Sequence, residues 1–292
     1  MKHLTGRMMG AWLAMAPVWA LAATAVEEQR PMAADGTIAV SNVSGAVAIS
    51  TWDQAEFRLE AELGKHQELE ISESGARVTI EVVQPEARKD WDEARLTLVV
   101  PVRASIVAEG VSADIEVSGS RGEHVSVESV SGDLVVGADS ARVELSTVSG
   151  DIRFVGSAAR SAAESVSGDI ELRGVGGEVS ISTVSGDATL LAGDVEEGRF
   201  ESVSGTLELS LAAAEGGRIT VESMSGDVRI TLPASQQGEF QAQTFSGDIQ
   251  SAFGAAEAAA SGPGNRLRNR VGEGGARIRI ESFSGDVQIG QK

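Results

Sequence analysis

The chain has 292 residues, a formal net charge of −19, 34 glycines, 4% aromatic residues, and neither cysteine nor tyrosine. The absence of cysteine excludes disulfides, thiol catalysis and cysteine-based metal sites. The negative charge argues against nucleic acid or anionic lipid as partners, and few aromatics with abundant Gly, Ser and Val suit thin stacked layers rather than one large globular core.

Residues 1–25 read as a signal peptide. Lys2 and Arg7 open it, residues 8–22 form an apolar stretch interrupted by Gly10 and Pro17, and two small-x-small sites follow, Ala20-Leu21-Ala22 and Ala23-Thr24-Ala25. The apolar run is shorter than a bilayer span needs, and Pro17 breaks it. No cysteine follows to carry a lipid, and no second apolar span occurs. The expectation is a periplasmic or secreted protein with no transmembrane segment after cleavage. Residues 26–35 read as a flexible lead.

Residues 36–104 read as an N-terminal β cap. Ile38, Val40, Val43-Ser44-Gly45, Val47 and Ile49 look like one early coil without its aspartate. Three good strand patterns follow, at 59–63, 78–82 and 96–100, with a polar loop at 85–92. Such a cap shields the open edge of the first coil. Trp52 and Trp91 are expected to cover apolar surface there.

From residue 105 a repeat takes over and runs to 292. Ser-Gly-Asp occurs at Ser131, Ser149, Ser167, Ser185, Ser225, Ser246 and Ser284, with the variants Ser112-Ala113-Asp114 and Ser204-Gly205-Thr206. Successive turns are 19, 18, 18, 18, 19, 21, 21 and 38 residues apart, which is a solenoid period except for the last step. The repeat predicts an all-β, single-chain parallel β-solenoid with right-handed winding. A loop insertion at 250–276 accounts for the long step.

Each unit has finer detail. Val143 and Leu145 alternate with polar residues, as do Ile152 and Phe154. The step from Leu145 to Val148 is odd, so the chain must bend near Thr147 for both to join one apolar side. The predicted structural turn comprises Asp114, Gly132, Asp133, Gly150, Asp151, Gly168, Asp169, Gly186, Asp187, Gly226, Asp227, Gly247, Asp248, Gly285 and Asp286. Glycine there permits a backbone conformation that other residues resist, and aspartate bonds local amides. Ser or Thr precedes the corner residue at Ser129, Thr147, Ser165, Thr183, Ser202, Ser223, Thr244 and Ser282, and is expected to form a hydroxyl ladder along the stack. Stacked carboxylates repel, so each needs an amide, a Ser partner or a cation.

The Val-Ser-Gly-Asp-Ile units, after a Gly36-to-Gly45 opening and Trp52-Asp53, resemble the bacterial "putative adhesin" family of β-strand-repeat envelope proteins. The resemblance covers roughly residues 36–292. It implies an exported β-solenoid with no established enzymatic activity or cofactor.

The residues themselves name no catalytic site or metal. His66 and His124 alone remain beyond the leader, and neither has triad or metal-ligand spacing. The reading is an adhesin-like, non-enzymatic structural or interaction protein whose partner is an envelope protein or glycan. Two alternatives stand: a calcium-stabilised solenoid, and a polysaccharide-acting β-helix enzyme. Arg266, Arg268 and Arg270 form a basic patch on the insertion, read as a solvated loop or a contact for an anionic partner. The last coil, from Arg277, lacks an evident cap, and its edge is expected to be open to self-association.

Overall fold

The computed structural model describes residues 24–84, 92–259 and 263–292. Among them the chain is all-β, with no helix. The proposed signal peptide up to Ala23, the loop from Pro85 to Trp91, and Ala260 to Gly262 lie outside the described residues.

The N-terminal region supplies six strands: Thr24–Pro31 (β1), Thr37–Trp52 (β2), Glu56–Leu63 (β3), Glu68–Ser74 (β4), Arg77–Val83 (β5) and Ala94–Pro101 (β6). The repeat supplies Ser105–Ser120 (β7), His124–Ser129 (β8), Leu134–Thr147 (β9), Ile152–Ser165 (β10), Ile170–Arg173 (β11), Gly177–Thr183 (β12), Ala188–Ser202 (β13), Leu207–Ser223 (β14) and Val228–Leu232 (β15). The C-terminal part supplies Gly238–Ser246 (β16), Ile249–Ser251 (β17), Glu257–Ala258 (β18), Asn265–Val271 (β19), Ala276–Ser284 (β20) and Val287–Gln291 (β21).

Each regular coil makes two strand segments, and each segment pairs in parallel with its counterpart one coil away. In β10, Ile152 lies opposite Leu134 and Ile170, while Ser165 lies opposite Thr147 and Thr183. Alternate residues of both segments point inward, so Ile152, Phe154 and Ala163 are buried. Stacking extends this into a continuous core of Val, Ile, Leu and Phe, as a unit with one apolar side requires. The longer repeats are absorbed at the corner opposite the Ser-Gly-Asp turn. The pairing shifts near Gly119 (φ 76°), and three extra residues bulge between Ala213 and Arg218, where Gly216 has φ 74°.

Both ends depart from chain order. β2 pairs with β7 on one side and with β5 and β6 on the other. The intervening segment folds outward, with β3 antiparallel to β6, β1 antiparallel to β3, and β4 antiparallel to β5. Residues 26–31, expected as a flexible lead, are therefore a paired strand: Val26 lies opposite Ala61 and Arg30 opposite Phe57. The strand β4 escaped the sequence reading because its pattern is mostly polar and its side chains stay largely exposed.

The C-terminal end mirrors this. The last coil, β20 and β21, lies between β14–β15 and β16–β17, with Val287 opposite both Val228 and Ile249. The segment 265–271, inside the expected loop insertion, is strand β19, antiparallel to β16 and carrying β18 on its far side. The expectation of an open edge on the last coil is thus corrected. Both of its edges already hold strands, and the outer positions belong to the earlier 238–271 segment.

Candidate interaction surface

The predicted turn residues come together in one row along the stack. The turn glycines are buried except Gly247 and Gly285, which are half-buried, and the aspartates beside them are largely exposed. The spatial order of the turns is Asp114, Asp133, Asp151, Asp169, Asp187, Thr206, Asp227, Asp286, Asp248. Each carboxylate except that of Asp248, at the outer end, accepts a hydrogen bond from the backbone N–H of the next coil: Asp151 N–H to Asp133 at 2.9 Å, Asp169 N–H to Asp151 at 2.9 Å, Asp187 N–H to Asp169 at 2.8 Å. That amide answers the repulsion expected of a carboxylate ladder. Thr206 receives such a bond by donating its own N–H to Asp187, but has no carboxylate to pass one on.

The glycines are required for a reason other than backbone conformation. Among the turn glycines named from the sequence, only Gly247 and Gly285 have positive φ, 151° and 155°. At the others the coils approach too closely for a side chain. A Cβ on Gly150 falls 2.0 Å from the Gly132 carbonyl oxygen, and one on Gly168 falls 1.8 Å from that of Gly150.

The hydroxyl row is also corrected. Thr147, Ser165 and Ser223 point into the core side and accept from the N–H of the glycine three residues on, at 3.1, 2.8 and 3.1 Å. These three close their own turn in the manner of a local Ser/Thr turn, whereas Ser129 and Thr244 donate across to the neighbouring coil, to the carbonyls of Ala113 and Gly285 at 3.2 Å each.

This placement turns the corner residue outward. Val143, Leu145 and Thr147 share the inward side, so Val148 faces solvent. The same holds in every coil. Val111, Val130, Val148, Val166, Val184, Val203, Met224, Phe283 and Phe245 stand in a row, each between 41% and 59% exposed. Phe283 and Phe245 stack with centroids 5.0 Å apart and planes 4° from parallel. At ~4.8 Å per rung the ridge is roughly 38 Å long. Beside it on one side runs the aspartate row, and on the other Glu128, Glu164, Glu201, Glu222 and Glu281. Sequence reasoning missed the ridge, although the alternation through Thr147 carried the signal.

Other charged groups pair both between coils and within them. Arg160 holds Glu178 through two bonds, of 2.6 and 3.2 Å, which lowers the Glu178 carboxyl below its ordinary range. Glu171 is lowered by Arg173 and then by Arg153. Asp139 is lowered by the Ser157 hydroxyl at 2.8 Å and then by the Ser157 N–H at 3.1 Å. Trp52 is half-buried, donates its indole N–H to the Glu56 carbonyl at 2.9 Å, and lies under Arg58. Among the described residues no group of three or more His, Asp or Glu gathers as a metal site, and no helix is long and apolar enough to cross a membrane.

This stacked all-β architecture with its recurring turn is that of a family: residues 31–290 match the Toastrack DUF4097 family model, and the chain belongs to that family. Among curated proteins, none matches it. Solved structures are similar to the chain at low identity, and one shares its fold with a TM-score above one half. A candidate lipid-binding protein from Parabacteroides distasonis is 11% identical, with 92% of this chain and 96% of that chain covered and a TM-score of 0.52. A candidate adhesin from Bacteroides fragilis is 10% identical over 91% and 97%, with a TM-score of 0.48. A candidate cell adhesion protein from Clostridium sporogenes is 12% identical over 92% and 100%, with a TM-score of 0.25.

Proposed function

We propose that the chain is an exported, non-enzymatic cell-envelope protein that works as an adhesin-like interaction module, with the Val111-to-Phe245 ridge as its contact face. One observation carries this reading: nine apolar side chains stay exposed in one unbroken row. A soluble monomer rarely leaves so long an apolar row open without a partner. Carboxylates on both flanks fit a partner that offers apolar side chains bordered by basic ones. Right-handed winding follows the preference of parallel crossovers.

The test is capture from envelope extract with the wild-type protein and a Val148→Ser/Val166→Ser/Phe283→Ser variant. A partner recovered by the first and lost by the second supports the ridge. Identical capture by both rejects it. Turnover of a polysaccharide panel revives the enzyme reading. A melting temperature raised by millimolar calcium and lowered by chelator revives the calcium-stabilised solenoid.

Export through the leader places the cut after Ala22. That cut leaves β1 whole, whereas a cut after Ala25 removes Thr24 and Ala25, which pair with Leu63 and Glu62. N-terminal sequencing that reads Ala23 first supports this, and a start at Val26 rejects it.

A further inference from the structure

A second surface adjoins the ridge, beyond the glutamate row that flanks it. The outward sides of β14, β20, β16 and β19 carry Arg218, Arg277, Arg279, Arg266, Arg268 and Arg270 against Glu222, Glu281 and Glu239. This is a basic face on a chain of net charge −19. Elsewhere on the stack several arginines hold carboxylates: Arg153 bonds Glu171 at 3.1 Å, and Arg160 bonds Glu178 at 2.6 Å. Here Arg279 takes Glu281 at 2.6 Å, and Arg270 reaches Glu239 at 4.0 Å. Arg218, Arg268 and Arg277 have no carboxylate partner among the described residues. Moreover, Arg218 lies directly opposite Arg277 on the neighbouring strand, while Glu197 faces Arg218 and Glu239 faces Arg277 on their far sides. The two central guanidinium groups repel each other, and Glu239 is met by Arg270 at 4.0 Å rather than by Arg277.

The face is also shaped. A shallow depression of about 480 Å³ is lined by Arg218, Thr220, Gln241, Arg277 and Arg279, together with Glu222 and Glu239. It adjoins a second of about 250 Å³, which shares Gln241 and Arg279 and adds Arg268. Arg279, Gln241 and Arg268 occupy successive rungs of the stack. Unpaired guanidinium groups fit carboxylates bidentately, and the amide and hydroxyl between them fit sugar hydroxyls. No aromatic side chain lines either depression, so bases have nothing to stack on.

We propose that this face binds a carboxylate-bearing polysaccharide, with Arg218, Arg277 and Arg268 holding the acid groups and Thr220 and Gln241 the hydroxyls. Titration calorimetry of the purified protein at low ionic strength tests it. The probes are polygalacturonate, neutral dextran, a single-stranded DNA oligonucleotide and phosphatidylglycerol vesicles. Polygalacturonate binds and dextran does not, and added salt weakens the binding. The variant Arg218→Gln/Arg268→Gln/Arg277→Gln binds about tenfold or more weakly, as expected for lost charge-assisted bonds. Arg153→Gln/Arg173→Gln, on the other strand row, binds like wild type. If the triple variant melts early, Arg268→Gln alone is used, since β19 lies outside the stacked coils; it must still weaken binding. No polygalacturonate binding, equal loss in the Arg153/Arg173 control, or equal binding of DNA or vesicles overturns the assignment. The Val148→Ser/Val166→Ser/Phe283→Ser ridge variant keeps polygalacturonate binding, so the two readings fail separately.

Discussion

Asp286 donates its backbone N–H to the carboxylate of Asp227 at 3.1 Å, across 59 residues of sequence, and its own carboxylate accepts from Asp248 at 2.9 Å. The chain passes Asp227, builds the outer segment first, and returns to fill the gap. Ile278 and Ile280 therefore sit inside the stack, at 1% and 0% exposure. Ile278→Ala should cost about 2–5 kcal/mol, the same as Ile181→Ala in the middle of the repeat should cost. Urea denaturation measures both. Hydrogen exchange should show Ile278 and Ile280 amides as slow as that of Val221. A frayed, fast-exchanging last coil would contradict the pairing.

Gly150→Ala should destabilise the fold by about 3 kcal/mol, because the new Cβ meets a backbone oxygen that cannot move without separating two coils. Gly75→Ala is the contrast: its φ is 62°, but nothing lies within 4 Å of the added carbon. It should cost about 1 kcal/mol, from backbone strain alone. Equal losses would reject the close-approach explanation.

Asp151→Ala removes the acceptor for the Asp169 N–H and should cost about 1 kcal/mol by chemical denaturation. Asp151→Asn keeps an oxygen at the same place and should cost less. If the two variants lose the same stability, the amide bond does not matter to the turn.

Asp139, Glu171 and Glu178 all have carboxyls lowered in the folded state. A lowered folded pKa means stability that is present above the ordinary carboxylate pKa and is lost as pH falls through the folded value. The melting temperature should therefore hold through neutral pH and drop on acidification below the ordinary carboxylate range. Glu178→Gln should flatten part of that acid limb. An unchanged acid limb in Glu178→Gln would show that the Arg160 pair adds nothing.

Much of this was legible in the sequence. The period, the Ser-Gly-Asp row and the inward Ile152 and Phe154 follow from repetition and alternation. Three things were not. Val148 looks like core because it is apolar, yet Thr147 takes the inward place by accepting the Gly150 N–H, and the valine turns out. Gly150 looks like a φ requirement, but its constraint lies in the neighbouring coil, which local sequence does not display. The 38-residue step between the turns at Ser246 and Ser284 measures distance along the chain, and says nothing about which coil lies between which. The arginine face was visible only as Arg266, Arg268 and Arg270, because Arg218 and Arg277 join it through pairings remote in sequence.

Blocking both ends with antiparallel strands has a consequence for size. Coils in the middle touch only their neighbours, so one unit such as 152–169 can be duplicated or deleted without disturbing either terminus. Each such event changes the exposed row by one rung, ~4.8 Å. The molecule is in effect a ruler whose length is set by copy number, while its two stops stay constant.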